Sequence, residues 1–212
     1  MPFPVRAAAA LIVFAALLLG CSPGSAAFDP AGPCSTDGQR AGAYPALEAL
    51  VPTQLAGRPP DRVDSGRSCS DKALGTLKAH GVTELRFAGG LWELGKNSGT
   101  ALVSFDSPTA LEPTWLGEFY EASARAASKT SDIQASTFQL GPVKADRLDT
   151  LNDDSYQTVV VTTAASHVVA ALVGSSVHEV PSRDAHEARV KDALAALAAG
   201  WNNTGLKRTL PG

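Results

Sequence analysis

Tyr156-Gln-Thr-Val-Val-Val-Thr-Thr-Ala-Ala-Ser-His-Val-Val-Ala-Ala-Leu-Val173 is the stretch that decides the fold. Tyr156–Thr162 and Val168–Val173 are β-branched and apolar, and Ala164–Ser166 supplies small residues between them, so the pair reads as a β-hairpin. Both arms are apolar enough to be central strands of a sheet. Just upstream, Phe138–Leu140 and Val143–Leu148 read as short strands. Downstream, Asp184 and Glu187 have the spacing of a capping box for a last helix, with Val190, Ala193, Leu194 and Leu197 facing inward and Gly200 as the stop.

The first half has a similar alternation of elements. Tyr44–Val51 reads as a short helix ended by Pro52, and Asp61–Ser65 as an edge strand. Ser70 is an N-cap for a helix carrying Leu74 and Leu77 to His80, with Gly81 as its C-terminal stop. Glu84–Trp92 and Ala101–Phe105 form a second hairpin around Gly95–Gly99. Pro113 opens a helix whose Trp115, Phe119, Ala122 and Ala126 form a core stripe. Asp61-Arg-Val-Asp-Ser65 recurs as Asp146-Arg-Leu-Asp-Thr150, and each copy precedes a hairpin and a helix. The echo predicts two β-hairpin-helix units side by side. The expected fold class is α+β: a two-layer sandwich, a largely antiparallel sheet with helices packed on one face, of the ferredoxin-like general kind.

Composition narrows the function. A net charge of −3 over 212 residues, with no run of Lys or Arg, argues against nucleic acid as a partner. Gly90, Gly95 and Lys96 imitate a P-loop, but Asn97 stands where a hydroxyl is needed and no helix follows, so a Gly-rich turn is expected. Asp149, Asn152, Asp153 and Asp154 make an acidic stretch without calcium-loop spacing. No nucleophile elbow or Ser-x-x-Lys pair is present, and no cofactor is indicated.

The N-terminus carries the one recognisable address. Arg6 precedes an apolar run from Ala7 to Leu19, and Leu18-Leu-Gly-Cys21 closes it. A helix of that run is about 20 Å long, short of the roughly 30 Å hydrocarbon core of a bilayer. This segment resembles the signal peptide and lipobox of Sec-exported bacterial lipoproteins. The resemblance implies a signal peptide over 1–20 and lipidation of Cys21 with acyl chains such as palmitate. It also implies attachment to a membrane on the extracytoplasmic face of the cell envelope. Ser22–Pro33 is rich in Pro, Gly, Ser and Ala, so 21–33 reads as a flexible tether. The chain then divides into a single α+β domain over 34–200 and a loose tail over 201–212. With Cys21 assigned to lipid, Cys34 and Cys69 remain as an even pair in an oxidising compartment, and a disulfide is expected.

Two function classes follow. The favoured one is a non-enzymatic binding or interaction domain for a protein or small-molecule ligand, using the sheet face that helices leave open. The alternative is an envelope enzyme or metal-binding protein using His178, Asp184 and His186, whose imidazole and carboxylate groups suit zinc.

Overall fold

The computed structural model describes residues 28–164, 166–180 and 182–202. The signal peptide, Cys21 and residues 203–212 of the expected tail lie outside the described residues. Among the described residues, eight strands form one antiparallel sheet: β1 (Gly38–Arg40), β2 (Arg62–Ser68), β3 (Leu85–Glu93), β4 (Gly99–Asp106), β5 (Thr130–Leu140), β6 (Val143–Asn152), β7 (Ser155–Ala164) and β8 (His167–Ser176). Their order is β1-β2-β3-β4-β8-β7-β6-β5. The helices are α1 (Pro45–Glu48), α2 (Asp71–Leu74), which runs into a 3₁₀ turn (Gly75–His80), α3 (Pro113–Ala126) and α4 (Arg183–Asn202). Both expected hairpins are present, β3 with β4 and β7 with β8.

Helices cover both faces, not one. Along β3, β4 and β8 both alternations are apolar, so each face demands cover. Leu85, Phe87, Ala101, Phe105, Ala170 and Leu172 join Leu116, Tyr120 and Ala124 of α3 in one cluster. Ala88, Trp92, Leu102, Ala171 and Val173 join Leu47 of α1 and Val190, Ala193 and Leu197 of α4 in another. The fold is therefore a sheet-dominated mixed structure with an α3 face and an α4 face. Gly90 shows how tight the second packing is: a Cβ there would come within 2.8–3.0 Å of Val51 Cγ1 and the Trp92 ring. The indole lies across the position where a side chain would stand.

The two halves of the chain meet at β4 and β8, paired from Gly99 with Gly174 to Phe105 with Val168. Each half is an antiparallel run of strands followed by a helix, but α3 and α4 lie on opposite faces. The internal echo is visible as a pair of two-residue ion pairs, Arg62 with Asp64 and Arg147 with Asp149, each 2.7 Å. Strand register puts the first pair on the α3 face and the second on the α4 face.

Several local expectations shift. Ser70 caps α2 as expected, its Oγ accepting from the Ala73 amide, and Gly81 ends the 3₁₀ turn in the left-handed region. At α4 the cap is Ser182, whose Oγ accepts from the Ala185 amide, while Glu187 turns to Arg147. The buried stripe of α3 is Leu116, Tyr120 and Ala124, and Ala122 and Ala126 are exposed. The last helix continues through Gly200 to Asn202. The short strand expected at Phe138–Leu140 extends back to Thr130.

The N-terminal edge is pinned before Cys34. Arg67, only 3% exposed, donates to the carbonyls of Asp29, Gly32 and Pro33 at 2.7–3.0 Å and lies over the Phe28 ring. Residues 28–33 of the expected tether are thus seated on β2. Cys34 and Cys69 stand at disulfide distance, with Cα atoms 5.4 Å apart.

Candidate ligand-binding site

The three residues of the enzymatic or metal alternative do not converge. His178 is exposed and lies 3.6 Å from Asp154, Asp184 is exposed in the first turn of α4, and His186 is buried at 1% exposure. Among the described residues, no group of three or more His, Cys, Asp or Glu could hold a metal. His80 stacks on Trp115 and bonds Glu118.

His186 instead belongs to a buried polar chain between α4 and the sheet. Thr158 Oγ1 donates to Asp149 Oδ1 at 2.6 Å, so toward His186 it accepts from Nε2–H at 2.9 Å. Nδ1 is then an acceptor and takes the Ser175 hydroxyl proton at 2.9 Å, while Ser175 accepts from Arg189. Every donor has an acceptor, which is what burial requires. Burial lowers the imidazole pKa to about 4, so His186 is neutral near pH 7. Arg147 completes the group, bridging Asp149 and Glu187. The Ser175–His186 pair has the donor-to-acceptor sense of an activated hydroxyl, yet Ser175 has no exposure at all. No substrate reaches it. The chain fastens α4 to β7 and β8. Sequence reasoning missed Thr158 and Ser175; the signal available was a threonine and a serine on the α4 face of otherwise apolar strands.

The open surface is on the other side. Over β2, β3 and β4 the α3 face holds a shallow groove of about 40 Å³, with Arg62 and Asp64 on its rim. Its floor is Phe87, Leu91, Ala101, Val103, Phe105 and Leu172, with Gly89 adding no side chain. Alternation in β3 and β4 produces this floor: residues 87, 89 and 91 and residues 101, 103 and 105 all point one way. Leu91 and Val103 remain partly exposed. An apolar floor with one paired charge at its edge can hold an apolar group and orient a polar one, although the enclosed space is far smaller than that of a typical small-molecule site. Of the Gly90/Gly95/Lys96 pattern, Gly95 and Lys96 lie in the turn between β3 and β4, as expected for a hairpin, while Gly90 pairs with Leu102 inside β3.

Compared with known proteins, the chain matches no protein-family model and no curated protein. Among the described residues, no helix is long and apolar enough to cross a membrane.

Proposed function

We propose that the protein is a lipid-anchored, non-enzymatic binding protein of the bacterial cell envelope, and that its ligand is a small apolar molecule held in the groove over β2–β4. The observation that carries the binding reading is the groove itself: an apolar floor on the α3 face in which Leu91 and Val103 stay partly exposed, rimmed by the Arg62–Asp64 pair. The lipobox residues Leu18 to Cys21 support the anchor. The Cys34–Cys69 pair supports an oxidising compartment. Lipid at Cys21 would hold the domain at the extracytoplasmic face of the membrane, where apolar molecules partition.

Two measurements test the two parts separately. Mass spectrometry of the mature N-terminus should find acylated Cys21, and an unmodified Cys21 in the membrane fraction would defeat the anchor. Titration with N-phenyl-1-naphthylamine should give saturable fluorescence, lost in Val103→Lys while the far-UV spectrum is kept. Equal binding by that variant would defeat the groove, as would binding seen only with a protein partner.

A further inference from the structure

One cross-strand row of the sheet has a gap in it. Glu93 of β3 pairs with Gly99 of β4, Gly99 with Gly174 of β8, and Gly174 with Gln157 of β7. Directly paired residues share a face. The row therefore sets a carboxylate and a carboxamide about 14 Å apart on the α3 face, at the spacing of β-strands, with no side chain between them. Glycine within a strand weakens it and often marks a place where another group comes close to the backbone. The adjacent row, Leu91, Ala101, Leu172 and Val159, is apolar. Over the two glycines stands a cup of about 160 Å³, room for about five waters. Glu93 and Gln157 form its walls, Leu91 its apolar end, and Lys96 and Asn97 of the β3–β4 turn its mouth.

Gln157 points to a ligand. It is only 9% exposed, yet its carboxamide makes no hydrogen bond with any described residue. The Tyr120 and Ser155 hydroxyls are unpartnered too, but they are sealed from solvent. The Gln157 carboxamide is not sealed: it keeps surface, and the cup is the cavity it lines. A nearly buried amide, with two N–H donors and an oxygen acceptor to satisfy, calls for a partner that both gives and takes hydrogen bonds.

The charges at the cup are opposite and uncommitted. The Glu93 carboxylate and the Lys96 ammonium belong to exposed residues, and neither makes an ion pair with the other or with any described residue. Arg62, across from Leu91 on β2, is committed to Asp64 at 2.7 Å. Glu179 meets the Lys96 backbone amide rather than its ammonium. One free charge of each sign at a small cavity suits a zwitterion better than an anion or a cation.

We propose that this cup binds a free α-amino acid with an uncharged polar side chain. The ligand's ammonium donates to Glu93, its carboxylate accepts from Lys96, and its side-chain carboxamide or hydroxyl exchanges hydrogen bonds with Gln157 over the glycine floor. A side chain at 99 or 174 would occupy the ligand's place. The site shares only Leu91 with the groove over β2–β4, takes a polar ligand where the groove takes an apolar one, and stands or falls separately.

The test is calorimetric titration of the whole mature protein near pH 7 with L-glutamine, L-asparagine and L-serine, and with L-leucine as the apolar counterpart. At least one polar amino acid should bind saturably, and L-leucine about tenfold more weakly or not at all. The N-acetyl derivative of the tightest binder, which lacks the ammonium, should bind more weakly than its parent. Glu93→Gln and Lys96→Ala, at exposed positions that do not threaten the fold, should each weaken binding about two- to fivefold. Gln157→Leu should erase the preference over L-leucine. Gly174→Val should abolish binding by filling the floor, while valine suits the strand and the far-UV spectrum reports that the fold is kept. Val103→Lys should leave amino-acid binding untouched, and Gln157→Leu should leave naphthylamine binding untouched. Saturable binding by none of the three polar amino acids overturns the proposal. Equal affinity for L-leucine, a preference that survives Gln157→Leu, or unchanged binding in both Glu93→Gln and Lys96→Ala overturns it as well.

Discussion

Glu179 Oε1 accepts a hydrogen bond from the Lys96 backbone amide at 2.7 Å, tying the turn between β3 and β4 to the segment between β8 and α4. The Ser98 hydroxyl and the amides of Lys96 and Asn97 hold the Glu179 carboxyl below the usual glutamate range. A lowered carboxyl contributes stability above its unfolded pKa and loses it as pH falls through the folded value. The side chain is exposed, so the global effect should be about 0.5 kcal/mol or less. Locally it should be plain: Glu179→Gln should speed amide hydrogen exchange at Lys96 and Asn97, and acidification below the glutamate range should do the same to the native protein. A Cβ on Gly95 would overlap that carboxylate, so Gly95→Ala should reproduce the loosened turn.

His186 gives the molecule an acid-labile side. Its imidazole is neutral in the fold, with a pKa near 4 against 6.5 when unfolded, mainly because of burial. Between those values the unfolded chain binds a proton that the folded one refuses, so stability falls as pH drops from 6.5 to 4. The gap corresponds to about 3 kcal/mol. Urea unfolding across that range should show the slope, and His186→Gln should flatten it.

Arg147 offers a sharper lesion. Its guanidinium bridges Asp149 and Glu187 at 2.6–2.7 Å, and both carboxyls are held below their usual range with Arg147 as the chief opposing charge. Arg147→Met leaves Asp149 buried at 9% exposure without its counter-ion. The expected loss is about 3 kcal/mol, read as a lower urea midpoint with an unchanged slope. Arg62→Met, at the exposed counterpart, should cost well under 1 kcal/mol.

Much of this sheet was legible in the sequence. The period-two alternation of Leu85 with Phe87 and the runs of Val159–Val161 and Val168–Val169 identify β3, β7 and β8. Ser70 and Gly81 mark the ends of α2 and its 3₁₀ extension. What escaped has physical reasons. Most of Thr130–Thr137 in β5 is exposed on both faces, so no apolar period announces it. Apolar residues on both alternations of β4 and β8 signal cover on both faces, but they do not say which helix supplies it. Asp184 and Glu187 have capping-box spacing, yet Arg147, distant in sequence, outcompetes a backbone amide for Glu187. The polar chain of Asp149, Thr158, Ser175 and His186 exists only through pairing across three strands and a helix.

Reduction of the Cys34–Cys69 pair should be felt across the N-terminal edge. The pair closes a separation of 35 residues, worth about 4 kcal/mol in the chain-entropy account. Asp37 caps the same corner, accepting from the amides of Cys69 and Ser70. Thermal melts with and without reductant should differ by several degrees, and Cys34→Ser/Cys69→Ser should match the reduced form.

The meeting of β4 with β8 makes the halves interdependent. Severed between α3 and β5, each fragment would carry its most apolar strand as a raw margin, greasy on both sides and with an unpaired row of amides and carbonyls. Neither fragment would last alone, but each margin is the other's missing neighbour. Co-expressed, the two pieces should find each other and rebuild the sheet, so the molecule would behave as a self-complementing split protein whose seam is its centre.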